Sequence, residues 1–160
     1  MIMFRKLTRI KQALSPSECE KVLKNTLRGT LALSGDEGYP YAMPVNHYYD
    51  AENRTVYFHS GKAGYKIDCL DRSDKACFTV IDEGERREGE WWLTFRSVVI
   101  FGRIARVEDA ATIEQISRAL SHKFTQDEAY IDREVEKYAS ATLLLALRIE
   151  NIQGKIVREK

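Results

Sequence analysis

The chain has 160 residues, 44% hydrophobic and 31% charged, and its 25 basic residues against 24 acidic ones leave a net charge of +1. That length suits one domain able to bury about 70% of its unfolded surface, and the balanced charge gives no basis for binding nucleic acid or an anionic membrane. The longest apolar run, near Ala141 to Ile149, is too short to span a bilayer. "MIMFRKLTRIKQ" lacks the apolar stretch of a signal peptide. Cys19, Cys69 and Cys77 have no CxxC spacing and read as reduced thiols of a cytoplasmic protein, Cys69 and Cys77 in the core.

In chain order, "LSPSECEKVLKNT" predicts a helix. Ser15 caps it, Pro16 suits its first turn and Glu18 stands three residues after the cap. Val22, Leu23 and Leu27 form its apolar face, and Gly29 breaks it. "TLALS" is a strand and "GDEG" a hairpin turn. "YAMPVNHYY" is a second strand whose Pro44 cannot donate a ladder hydrogen bond, which points to an edge or a bulge. "TVYFHS" is the third strand. After the glycines of "SGKAG", "YKIDCLDRSD" reads as a short helix, with Ile67 and Leu70 on one face.

"KACFTVID" is a strand. "WWLTFRSVVIFGRIARVE" is too long for one flat strand, so Gly102 marks a bend. Trp91 and Trp92, adjacent on a strand, would face opposite sides. One would need a partner subunit, a planar ligand or its own loop as cover. "DAATIEQISRALSHKF" is helical, with Ile113, Ile116 and Leu120 on one face; "DREVEKYAS" adds a short turn. "TLLLALRIENIQGKIV" is a last strand with a turn at Gly154. Six or seven strands on hairpin-length connections, with two or three helices, predict an antiparallel barrel with peripheral helices in one domain over 1–160.

The stretch with chemical content is "VYFHSGKAGYK". It matches neither a P-loop nor GxGxxG. A strand, a glycine loop and a helix N-terminus gather backbone N–H groups that favour an anion; Lys66 adds a charge and Ser60 a hydroxyl donor. The same stretch also reads as a plain strand-to-helix turn with solvated lysines, and His59 at its strand end as a hydrogen-bonded structural residue. The three histidines show no metal-ligand spacing, and no nucleophile elbow is present.

The order "GYPYAMPVNHYYD", "VYFHSGKAGYKIDCL", "KACFTVID", "FRSVVIFGRIARVED" resembles the FMN-binding split-barrel superfamily of pyridoxamine-phosphate oxidase, most closely its nitroimidazole-reductase-related branch. The resemblance runs from about Leu31 to Val107 and more weakly to the end. It implies a mainly β fold with peripheral helices, a six-stranded antiparallel split barrel, and a homodimer with two FMN sites at the interface. It implies that Met43, Pro44, Val45 and Asn46 line the flavin ring. His59 and Ser60 match the pair at the next strand end, Tyr65 and Lys66 the pair gripping the FMN phosphate, and Ser97 a polar residue reaching the ring or ribityl chain. A second anion partner would be His47, Lys62 or an arginine of the other subunit.

Tyr65 stands where the superfamily's oxidases carry arginine, and "IVREK" is no arginine-rich tail, so pyridoxamine-phosphate oxidation is not expected. The expected function is FMN-dependent reduction of a small nitro-aromatic or quinone-like acceptor, with hydride passing through flavin N5, a nicotinamide donor, and His59 orienting the acceptor or supplying a proton. The alternative is a flavin, deazaflavin or haem carrier without turnover.

Overall fold

The computed structural model describes residues 4–159; the first three residues of "MIMFRKLTRIKQ" and the last of "IVREK" lie outside them. Helix α1 (Pro16–Asn25) starts where the sequence places it. Ser15 Oγ accepts the Glu18 N–H at 3.3 Å, and Glu18 Oε2 accepts the Ser15 N–H at 2.7 Å. This reciprocal box satisfies two backbone donors that a bare helix start leaves open. Cys19, Val22 and Leu23 form the buried face. Leu27 lies beyond the helix end and is exposed, and Gly29 falls inside the next strand.

Seven strands follow: β1 (Arg28–Ser34), β2 (Pro40–Asn46), β3 (Tyr48–Asp50), β4 (Thr55–Ser60), β5 (Lys75–Ile81), β6 (Thr94–Val107) and β7 (Leu143–Arg158). They make one antiparallel sheet in the order β2-β1-β5-β6-β7-β4-β3. The sheet curls until β2 approaches β4, giving a split half-barrel. Its seventh strand arises because "YAMPVNHYY" breaks at His47, whose neighbours Tyr48–Asp50 pair with β4 while Pro40–Asn46 pair with β1. Pro44 is accommodated on an edge strand, where a missing N–H breaks no ladder bond on the open side.

Strand alternation sorts the side chains. Leu31, Leu33, Phe58, Phe78, Val80, Val98, Ile100, Leu145 and Leu147 face inward and are buried. Leu144 faces outward beneath Ile113 and Ile116 of α3 (Ala110–Ser121). The bend of β6 is present as a register shift between Phe101 and Gly102.

Four expectations give way. Gly154 makes no turn: β7 runs through it, and a Cβ there would lie 2.6 Å from Cys19 Sγ and 2.9 Å from Leu14, so it lets α1 approach the strand. "DREVEKYAS" belongs to an eleven-residue helix, α4 (Glu128–Tyr138), capped by Asp127. Trp91 and Trp92 precede β6 and stack on each other in the loop, ring centroids 4.4 Å apart. Cys69 is in the core as expected, whereas Cys77 faces outward and is half-buried.

Candidate functional site

Strand β4 runs through residues 61–64 into α2 (Tyr65–Arg72). Gly64 is its N-cap residue at φ 115°, a region that favours glycine, and it offers no side chain to cap the helix. Among the described residues the Tyr65 and Lys66 amides take no partner, while the next two bond to Gly64 O. Tyr65 anchors this end: its hydroxyl accepts the Asp36 N–H at 2.7 Å, and its ring packs 4.4 Å from Tyr41 of β2. Arg72 adds an ion pair to Asp36. Lys66 is half-buried and joins no ion pair or hydrogen bond among the described residues. Burial therefore pulls its ammonium below the usual lysine range. An uncapped helix start and a partly dehydrated cation without a counterion together favour an incoming anion.

On the other side of the loop lies a cleft of about 1320 Å³ between the end of β4, α3, α4 and residues 139–143. His59 and Ser60 line it, with Gly61 and Lys62. His59 is open to the cleft, and its Nε2 lies 2.9 Å from Ser117 Oγ. The walls restrict its hydration and lower its pKa, so it is neutral at pH 7. Ser60 Oγ donates to Gly61 O, and Lys62 Nζ to Ser140 O.

The remaining predicted residues are dispersed. Met43 and Val45 turn inward against the core, and Pro44 and Asn46 stand outward and exposed on edge strand β2. His47 is sealed in the core, its Nε2 2.8 Å from Leu23 O and its ring 5.0 Å from Phe78. Burial first, and then the charge of Lys123, lower its pKa to about 4. A neutral, buried ring gives an anion nothing, so the expectation of His47 as second anion partner gives way. Ser97 is level with Ile81 in the sheet, toward the Arg28 end of β1, whereas α2 starts beside the turn after Ser34. Six strand residues separate those ends, roughly 20 Å. Within one chain Ser97 and Lys66 do not meet.

Sequence reading passed over Ser117, Arg106 and Tyr41. Ser117 left a signal, because it sits among Ile113, Ile116 and Leu120 on the buried face of α3. Arg106 left none; its partners, Ile67 O and Asp71 on α2, are remote in sequence. Among the described residues no cluster of His, Cys, Asp or Glu is arranged for a metal, and no helix is long and apolar enough to cross a membrane.

A curled antiparallel half-barrel with peripheral helices, whose β4 feeds a glycine loop and an uncapped helix, is a split-barrel protein. The sequence pattern of the family described as pyridoxamine 5'-phosphate oxidase matches residues 15–156, and the chain belongs to that family. Its fold is similar to that of a candidate 5-nitroimidazole antibiotic resistance protein from Bacteroides thetaiotaomicron, at 20% identity over 90% of this chain and 86% of the other, with a TM-score of 0.76. A flavocytochrome from Azotobacter vinelandii is 21% identical over 96% of this chain and 75% of its own, TM-score 0.77. An FAD binding protein from Mycobacterium smegmatis is 20% identical over 92% and 99%, TM-score 0.65. No curated protein matches the chain.

Proposed function

We propose that this protein binds FMN and reduces small nitro-aromatic or quinone-like acceptors at the expense of a nicotinamide donor. The observation that carries the reading is the uncapped start of α2 beside Lys66, a half-buried cation without a counterion. These groups fit a phosphomonoester: backbone N–H groups direct the oxygens and the ammonium balances the charge. Tyr65, fixed by Asp36 and Tyr41, holds the helix start in place. Edge strand β2 leaves backbone groups on its open side for the polar rim of a ring. Bound flavin supplies hydride transfer, which no side chain of this chain provides. His59, neutral and hydrogen-bonded to Ser117, can donate or accept a proton at the acceptor. The descriptions of two similar structures, a flavocytochrome and an FAD binding protein, support the flavin part of the reading.

The proposed assembly is a homodimer with the flavin at the interface. Ile81 and Phe101 stand outward, 56% and 41% exposed, on strands that no helix covers on that side among the described residues. Phe4 stacks on Phe101 and covers only part of it. A second copy would bury this face and bring its Ser97 toward the flavin.

The test is titration of apo-protein with FMN, followed by quenching of flavin fluorescence. Lys66→Ala should weaken binding by about 1.5–3 kcal/mol, and riboflavin should bind weakly and ignore the substitution. Equal FMN affinity in both proteins would remove Lys66 from the site. Sedimentation should give twice the 18.4 kDa chain mass. Anaerobic reoxidation of the reduced protein by acceptors, slowed in His59→Gln, separates turnover from a carrier role.

A further inference from the structure

The cleft beside the glycine loop joins apolar walls to a charged rim. Ile113 and Leu143 are buried against it, and Val135 of α4 is half-buried in its wall. His59 opens into it, held by Ser117 and neutral at pH 7. Its volume of about 1320 Å³ leaves room for a small ring and ordered water. We propose that the cleft takes an organic ammonium, an apolar body bearing one positive charge, and that the acceptor belongs to this class.

The charges on the walls do not balance. The carboxylates of Glu108, Glu114, Asp132, Glu134 and Glu136 face the cations of Lys62, Arg106 and Arg118. Arg118 is engaged twice, with Glu114 at 3.2 Å and Asp132 at 2.6 Å. Arg106 turns to Ile67 O and Asp71 on α2, and Lys62 donates to Ser140 O. Arg133 and Lys137 stand over the Tyr130 and Tyr138 rings and do not line the cleft. Glu108, Glu134 and Glu136 join no ion pair or hydrogen bond among the described residues. Glu134 matters most, because it is half-buried in the wall and solvent screens it less. The neutral His59 ring adds no positive charge to offset these groups.

Each part of the ligand has its place. The ammonium, with donors and no acceptor, goes to Glu134. The apolar body covers Ile113, Val135 and Leu143, and the far end reaches His59. A molecule bearing a carboxylate or phosphate would meet the excess of negative charge and is disfavoured. One short loop thus separates a helix start that favours an anion from a cleft that favours a cation. A nitro acceptor takes a hydride and a proton, becoming nitroso and releasing water, and the nicotinamide donor replaces the electrons. The class of the acceptor rests on the flavin reading; the ammonium site itself does not.

The experiment titrates isotope-labelled protein with benzylammonium, benzyl alcohol and benzoate, which share a ring and differ in charge, and follows the amide resonances of residues 59–62 and α4 by NMR. Benzylammonium should move them and bind about tenfold more tightly than benzyl alcohol, with benzoate weakest, and about 0.5 M salt should narrow the order. Glu134→Gln should remove most of that preference and leave benzyl alcohol unaffected; Glu108→Gln, which lies off α4, is the second variant. Equal binding of the three probes, or a preference that neither variant reduces, overturns the ammonium site. Reduced, FMN-loaded protein is then reoxidised with 4-nitrobenzylammonium or 4-nitrobenzoate, each rate divided by that of free reduced FMN. Faster relative reoxidation by the cation supports the proposal. No turnover, or turnover without charge preference, overturns the class of the acceptor and leaves flavin binding intact. Selective benzylammonium binding by a protein that takes no flavin overturns the flavin reading and keeps the ammonium site.

Discussion

Helices α1 and α2 have similar amphipathic sequences and opposite ends. At its start α1 is closed by the reciprocal Ser15–Glu18 box. At its finish the Leu23 carbonyl accepts His47 Nε2 at 2.8 Å, and the Thr26 carbonyl accepts Lys123 Nζ at 2.7 Å. Protein groups thus occupy several of the orphan polar groups at the ends of that helix. Helix α2 has a glycine in the capping position and Lys66 without an anion. The α3 and α4 starts are capped by Asp109 and Asp127, so α2 is the exception among the four. A helix end left open beside a half-buried cation leaves donors and a charge that favour an anion.

The contrast breaks first in acid. His47 donates from Nε2, so its buried Nδ1 is unprotonated and has no partner. A proton there would lack an acceptor and add charge near Lys123. The folded-state pKa of about 4 lies below the ordinary histidine value of 6.5, so the unfolded chain binds the proton first. The contribution is complete above about pH 6.5 and is lost as the pH falls toward 4, amounting to about 3 kcal/mol. Denaturant titrations across this range should show the loss, and His47→Gln, which cannot titrate, should flatten that part of the profile.

Giving α2 a cap like those of α3 and α4 should cost it the ligand. In Gly64→Asp a carboxylate would take the open amides and repel a phosphate, lowering FMN affinity by roughly a hundredfold relative to Gly64→Ala. The alanine variant carries the same strain at φ 115°, of order 1–3 kcal/mol, so the ratio of the two isolates the charge. Matching affinities would show that the helix start is not the phosphate site.

Removing the cap from α1 should do the reverse. Ser15→Ala should cost about 1 kcal/mol of stability, read as a melting temperature lower by roughly 2–4 °C, with FMN affinity unchanged. The smallest effect belongs to Lys66→Met, which should alter stability without ligand by no more than about 0.5 kcal/mol. Lys123→Met should destabilise more, because it orphans the Thr26 and His47 carbonyls. A large stability loss in Lys66→Met would reveal a structural role for that lysine.

Local chemistry was readable along the chain. Ser15, Pro16 and Glu18 announce α1 whatever it packs against, because the capping box spans four residues. Pro44 marks an edge strand through its missing N–H, and Gly102 marks the irregularity of β6. The loop from His59 to Lys66 could be read as a candidate anion site because its backbone donors are consecutive in sequence. An antiparallel barrel with peripheral helices could be inferred because strand alternation and short connections admit few antiparallel topologies; its split form followed from the family resemblance.

Tertiary structure decided what depends on groups far apart in sequence. His47 and His59 look alike in their strands, yet one meets Leu23 and Phe78 inside the barrel and the other Ser117 at a cleft. Their burial, and with it their charge, follows from which elements cover them. Gly154 reads as a turn until α1 is seen to lie against it. Ser97 and Lys66 read as one site until the register sets them at opposite ends of β1. Capping and turn preferences act over a few residues and are written in sequence order. Desolvation, counterion supply and the distance between strands are set only when the sheet closes.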